Sequence, residues 1–205
     1  MLANLTENSG RVLSVEPDQR VHAQLLSNRE AHHCNFHLLR GSLGTSPLSL
    51  LNRGDDKEGN YGSMFRVSGG ESGGGETLPH MTFREAERYL GGNIDTLLID
   101  CEGCLGSFLD GQEELLDTID LLLLEEDMLM IGPRNESYEG RWFDVFRAHG
   151  LKMIWRTRDS TAPRQHWSRI LRHSAWSRSG LAGRPSCREY AQARSFGKDL
   201  LNCIV

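Results

Sequence analysis

Ile94-Asp95-Thr96-Leu97-Leu98-Ile99-Asp100 and Ile119-Asp120-Leu121-Leu122-Leu123-Leu124 are the two near-continuous apolar runs on which the fold turns. Runs of this kind predict central parallel strands buried on both faces. Phe108 to Leu116, between them, predicts the crossover helix. Working outward, Arg11 to Val15 is a short β-branched run that Pro17 must end, because proline has no N–H for the ladder. Gln19 to Arg29 then predicts a helix with Val21, Leu25 and Leu26 on one face, and Phe36 to Arg40 the next strand. On the other side, Glu139 to His149 predicts a helix closed by Gly150, followed by a strand from Leu151 to Arg156. Alternating strands and helices predict an α/β fold with a mostly parallel sheet.

Thr82-Phe83-Arg84-Glu85 is a capping box that opens a helix running to about Leu90 and stopping at Gly91-Gly92. Gly54 to Gly75 is polar and glycine-rich, and only Ser63 to Val67 within it reads as a strand. After Ser160 the pattern fades into a basic loop, with a helix expected from Cys187 to about Arg194. The expected organisation is an α/β domain over residues 1–157 and a basic extension, loop plus helix, over 158–205.

At 205 residues, with 38% hydrophobic and 25% charged, the chain has the size and composition of one globular domain. No apolar run approaches a bilayer span, and Met1 to Gly10 lacks the basic start and apolar stretch of a signal peptide. The net charge of −5 hides an asymmetry: residues 152–205 carry eleven Lys or Arg against three Asp or Glu. A basic tail on an acidic body binds an anionic partner or folds back onto the body. Five cysteines (Cys34, Cys101, Cys104, Cys187 and Cys203) are too sparse for a disulfide scaffold, although Cys187 and Cys203 could pair in an oxidising compartment.

Ligands of open α/β sheets bind beyond the carboxyl ends of the strands. Acids stand there: Glu16 after the first strand, Asp100 and Glu102 after the next central one, and Glu125, Glu126 and Asp127 after the following one. A carboxylate so placed can accept two hydrogen bonds from adjacent ribose hydroxyls. It can equally be an ordinary cap or turn residue.

Val15-Glu16-Pro17-Asp18, Ile94 to Gly103 (IDTLLIDCEG) and Leu122-Leu123-Leu124-Glu125 together resemble the FkbM-type methyltransferases, over roughly residues 8 to 157. The resemblance implies a Rossmann-like sheet and S-adenosylmethionine as cofactor. It implies that Glu16 binds the cofactor ribose, that Asp18 lies along the adenosine, and that Ser42 sits near the adenine. Asp100 would lie beside the methyl-donating centre, with Glu102 shaping the substrate side and either acid acting as the base. The implied reaction is methyl transfer to a hydroxyl of a small molecule or carbohydrate. The chain departs from the family pattern where Leu98 replaces a lysine and Leu105 an acid. Only ten residues precede the strand at Arg11, so the first strand and its glycine-rich loop are expected to be missing, with cofactor binding weakened accordingly.

Four other chemistries can be weighed against parts of the sequence. Cys101-Glu102-Gly103-Cys104 has the spacing of a redox pair, but its flanking acids would raise a thiol pKa. His32-His33-Cys34 with His37 offers metal-ligand types without a second spaced pair, and no metal is expected there. The acids at Asp100, Glu102 and Glu125 to Asp127 could instead hold magnesium for phosphate chemistry. Trp155, Trp167 and Trp176 among the tail arginines could stack on single-stranded nucleic acid, although core packing is the expected use of such tryptophans.

Overall fold

The computed structural model describes residues 11–53, 63–67, 76–100, 105–126, 138–158 and 172–179. The chain divides into two units, Met1–Gly92 with Pro185–Val205, and Asn93–Arg184. No helix among the described residues is long and apolar enough to cross a membrane.

In the first unit, strand β1 (Leu13–Glu16) runs parallel to β2 (His37–Arg40), with Leu13 opposite His37 and Glu16 opposite Arg40. Helix α1 (Gln19–Ala31) makes the crossover. It can start only after Pro17, and Asp18 caps it by accepting a hydrogen bond from the Arg20 backbone N–H at 3.0 Å. Leu25 is buried as expected from the periodicity, but Leu26 is 41% exposed. The helix ends through His33, whose φ of 51° turns the chain back toward β2. Cys34 and Phe36 are buried in that return, packed by Val12 and Leu38.

Beyond β2 the unit has two small sheets. Strand β3 (Ser42–Leu43) pairs in parallel with β7 (His80–Met81). Strand β4 (Leu48–Arg53) lies antiparallel between β5 (Ser63–Val67) and β6 (Glu76–Thr77). Gly41, with φ of 154°, lets the chain pass so close to Pro79 that a Cβ would lie 2.5 Å from its carbonyl oxygen. Helix α2 (Phe83–Leu90) carries the expected capping box and ends on Gly91 in the left-handed conformation.

The second unit is a four-stranded sheet in the order β10-β11-β9-β8. Strand β8 (Thr96–Ile99) is parallel to β9 (Leu121–Glu126), while β11 (Arg172–Ser177) is antiparallel to both β9 and β10 (Lys152–Arg158). Burial alternates along β9: Leu122, Leu124 and Glu126 are buried, and Leu121, Leu123 and Glu125 are partly open. The apolar run therefore has one buried face rather than the two expected from its composition. On the buried face lie Phe143 and Phe146 of helix α4 (Tyr138–Ala148) and Trp176 of β11, with the Phe146 and Trp176 rings edge-to-face at 5.2 Å.

Two further expectations are corrected here. The crossover from β8 to β9 is not one helix over Phe108–Leu116 but a short α3 (Leu105–Leu109) and a 3₁₀ helix (Glu113–Thr118). Gly111, at φ 75°, interrupts them. The basic stretch after Ser160, expected as loop, contains β11, an internal strand of the sheet. Arg178, just past β11, donates to the carbonyls of His149 and Leu116, both at 2.6 Å, and so ties the strand's end to α4 and the 3₁₀ helix. The fold class is α/β, with parallel and mixed sheets. Among the described residues, the parallel pairs β1–β2 and β8–β9 are hydrogen-bonded within separate sheets.

Candidate functional site

In the first unit the carboxyl end of β1 presents Glu16. Its Oε1 accepts a hydrogen bond from the Asp18 N–H at 2.6 Å, a turn imposed by the intervening proline. Its Oε2 has no hydrogen-bond partner among the described residues. Burial raises its pKa above the ordinary value, and the negative charge of Asp18 pushes the same way. The Asp18 N–H and His22 oppose this rise. Glu16 is thus a half-buried carboxylate with one oxygen occupied and one open, in a place where a donor would be strongly favoured.

Its two expected companions are already engaged. Asp18 is 4% exposed, and beyond its capping role both its carboxylate oxygens accept from Arg20 Nε, at 3.0 and 2.9 Å. Ser42 is buried, and its hydroxyl faces the Pro79 carbonyl at 3.5 Å. The local turns hold these residues, and Glu16 alone retains unused acceptor capacity. At the opposite end of the same crossover, a shallow depression is lined by Leu26, Arg29, Glu30, His33 and Cys34. Cys34 is disulfide-bonded, so its sulfur is no metal-ligating thiolate.

In the second unit the carboxyl ends of β8 and β9 bring acids and bases together. Asp100 directly follows β8 and is exposed. Glu125 and Glu126 end β9 and point to opposite faces, as strand alternation requires. On the buried face, Glu126 is fully enclosed, and Arg156 of β10 donates to it from Nε at 3.2 and 3.1 Å and from Nη2 at 2.7 Å. On the other face, His173 of β11 stands directly across from Glu125, with Nε2 3.6 Å from Oε1.

Glu102, Cys101, Cys104, Asp127, Trp167 and the Cys187–Cys203 pair lie outside the described residues. Trp176 is fully buried in the core. Among the described residues, no group of three or more His, Cys, Asp or Glu side chains is placed to hold a metal ion. Sequence reasoning missed His173 and Arg156, because their meaning depends on a cross-strand register that no local motif announces.

Comparison with protein-family models, with curated proteins and with solved structures found no match in any of the three.

Proposed function

We propose that this chain is an S-adenosylmethionine-dependent O-methyltransferase of the FkbM type, acting on a hydroxyl of a small molecule or carbohydrate. The observation that carries the reading is Glu16. A partly desolvated carboxylate with one open oxygen, at the carboxyl end of a strand in a parallel β–α–β crossover, fits a cis-diol such as a ribose. Its neighbour Asp18 fixes the carboxylate through its own N–H rather than by touching the ligand. Asp100, exposed at the end of β8, is the acid proposed to face the reacting centre, with Glu102 two residues on.

The bound cofactor would supply an electrophilic sulfonium methyl group. The chain's own work is then to bind, to orient the acceptor hydroxyl in line with that methyl, and to take its proton. One rival reading has less support: Trp176 is in the core rather than on a stacking surface.

The test is thermal unfolding with millimolar S-adenosylhomocysteine. A rise in Tm that Glu16→Ala abolishes is expected, since a charged hydrogen-bond pair lost at this site corresponds to about 10- to 150-fold in affinity. No rise in the parent protein, or an equal rise in Glu16→Ala, overturns the proposal. With acceptor turnover in hand, Asp100→Asn should remove most activity and leave the fold intact.

A further inference from the structure

We propose that the segment Pro185–Val205 is strapped across the outer face of helix α1 by a disulfide from Cys34 to Cys187 or Cys203, and that the shallow depression beside Cys34 is its seat. Cys34 is disulfide-bonded and 6% exposed, and it lies with Phe36 in the buried return between α1 and β2. The other cysteines of the chain are Cys101, Cys104, Cys187 and Cys203. Pro185–Val205 belongs with Cys34 to the first unit, whereas Cys101 and Cys104 fall in the second. Two partners within the unit of Cys34 therefore remain, and both lie in one short segment. A bond between Cys187 and Cys203, open on sequence alone, is then ruled out, because one of the two is taken by Cys34.

The depression suits this occupant. Its lining includes Ala23, Leu26 and Ser27 of α1, all exposed. The period of the helix groups Leu26 with Val21 and Leu25, yet Leu26 is 41% exposed. A lone exposed leucine is ordinary. One beside small residues and a cystine has a covalently delivered neighbour. The Cα atoms of a cystine stand about 4.4–6.8 Å apart, so the residues next to the bonded cysteine are carried onto the wall that Cys34 forms. Both candidates bring apolar neighbours: Tyr190 and Ala191 follow Cys187 at helical spacing, and Leu200, Leu201, Ile204 and Val205 flank Cys203. Charge agrees. Arg29 is turned to the Phe36 carbonyl and ring, so Glu30 is the exposed fixed charge of the described lining. Arg188 and Lys198 are the bases nearest the two cysteines.

In chain order the second unit lies between the two ends of this bond. The bond thus closes a covalent loop that contains the whole of Asn93–Arg184, and the unfolded chain loses the freedom of that loop. Its formation balances: each thiol gives up one proton and one electron, and a small disulfide takes both pairs and becomes two thiols. The strap does not depend on what the chain catalyses.

Two measurements test this on the full chain. For the first, the chain is folded with oxidised and reduced glutathione, alkylated without reduction, digested and mapped by mass spectrometry. A peptide joining Cys34 to Cys187 or Cys203, absent after reduction, is expected. A Cys34 that is alkylated or capped by glutathione, a bond from Cys34 to Cys101 or Cys104, or a Cys187–Cys203 bond overturns the strap. The second reads the seat by amide hydrogen exchange over residues 23–27, away from the bond itself. The parent is compared with the double variant Cys187→Ser with Cys203→Ser, which leaves Cys34 and α1 untouched, the two chains being matched in circular dichroism. A loss of protection in the variant is expected. Equal exchange overturns the docking on α1.

Discussion

Arg156 holds Glu126 across an intervening strand. The two residues belong to β10 and β9, which are not hydrogen-bonded neighbours, and the guanidinium reaches over β11 to engage both oxygens of a carboxylate with no solvent exposure. The Arg156 guanidinium also lies 5.1 Å from the centre of the Phe143 ring, so its position is fixed by α4 as well as by charge. Removing the cation alone would leave a bare buried charge. Arg156→Met should therefore cost about 3–5 kcal/mol, whereas Arg156→Met with Glu126→Leu should recover most of that loss. Urea unfolding of the two variants distinguishes them. Equal losses would mean that the pair itself, rather than the stranded acid, sets the cost.

Glu16 makes stability depend on pH in an unusual direction for a carboxylate. Its folded pKa is raised by burial, so between the ordinary value of 4.5 and the raised one the folded chain binds more protons than the unfolded chain. Stability from this group is full below the ordinary value and falls as pH rises through the window. Glu16→Gln keeps the acceptor for the Asp18 N–H and removes the charge. It should raise Tm at pH 7, and the gain should vanish below about pH 4. A Tm difference that is flat with pH would show that the charge is not the cause.

The opposite sign applies at Glu85. The Thr82 N–H and hydroxyl, each 2.8 Å from Oε2, hold its carboxyl below the usual range. What this contributes is present above the ordinary carboxylate pKa and is lost as pH falls through the lowered value. Thr82→Ala should cost about 0.5–2 kcal/mol at neutral pH. A double-mutant cycle with Glu85→Ala should be clearly non-additive, because each residue satisfies the other's backbone N–H.

Trp176 carries the packing of the second unit. It is fully buried against Phe143 and Phe146, with ring centroids 4.8 and 5.2 Å away, and its indole N–H donates to the Ser174 hydroxyl at 3.1 Å. Trp176→Ala should cost about 3–5 kcal/mol by chemical denaturation. Trp176→Phe should cost less, since it keeps the ring contact and loses volume and the hydrogen bond.

What could be read from the sequence follows from how local each signal is. The capping box at Thr82–Glu85 and the two apolar strands announce themselves within a few residues, and the helix of α4 shows in its period. The β8–β9 crossover reads in sequence as one helix over Phe108 to Leu116, while the structure breaks at one left-handed glycine, Gly111. Strand β11 was invisible. Its sequence Arg-His-Ser-Ala-Trp-Ser sits among arginines, and its buried Ser174, Ala175 and Ser177 are small residues that carry no strand signature. At the candidate site, Glu16 was legible from the proline that follows it. Asp18 was legible as a position but not as a helix cap already committed to Arg20. The facing of His173 and Glu125 could not be read, since it exists only once β11 has a register.

The internal position of β11 also bears on the order in which the protein is made. Its two neighbours, β9 and β10, are both synthesised before it, so a chain growing from its amino end carries two unpaired strand edges and an unfilled slot where Trp176 will sit. The sheet can close only after Ser177 has left the ribosome and the newest segment has been threaded between two older ones. Closure of the second unit is thus a late, long-range event. In the interval the exposed edges of β9 and β10 are the places at which a nascent or truncated chain would pair with another copy of itself.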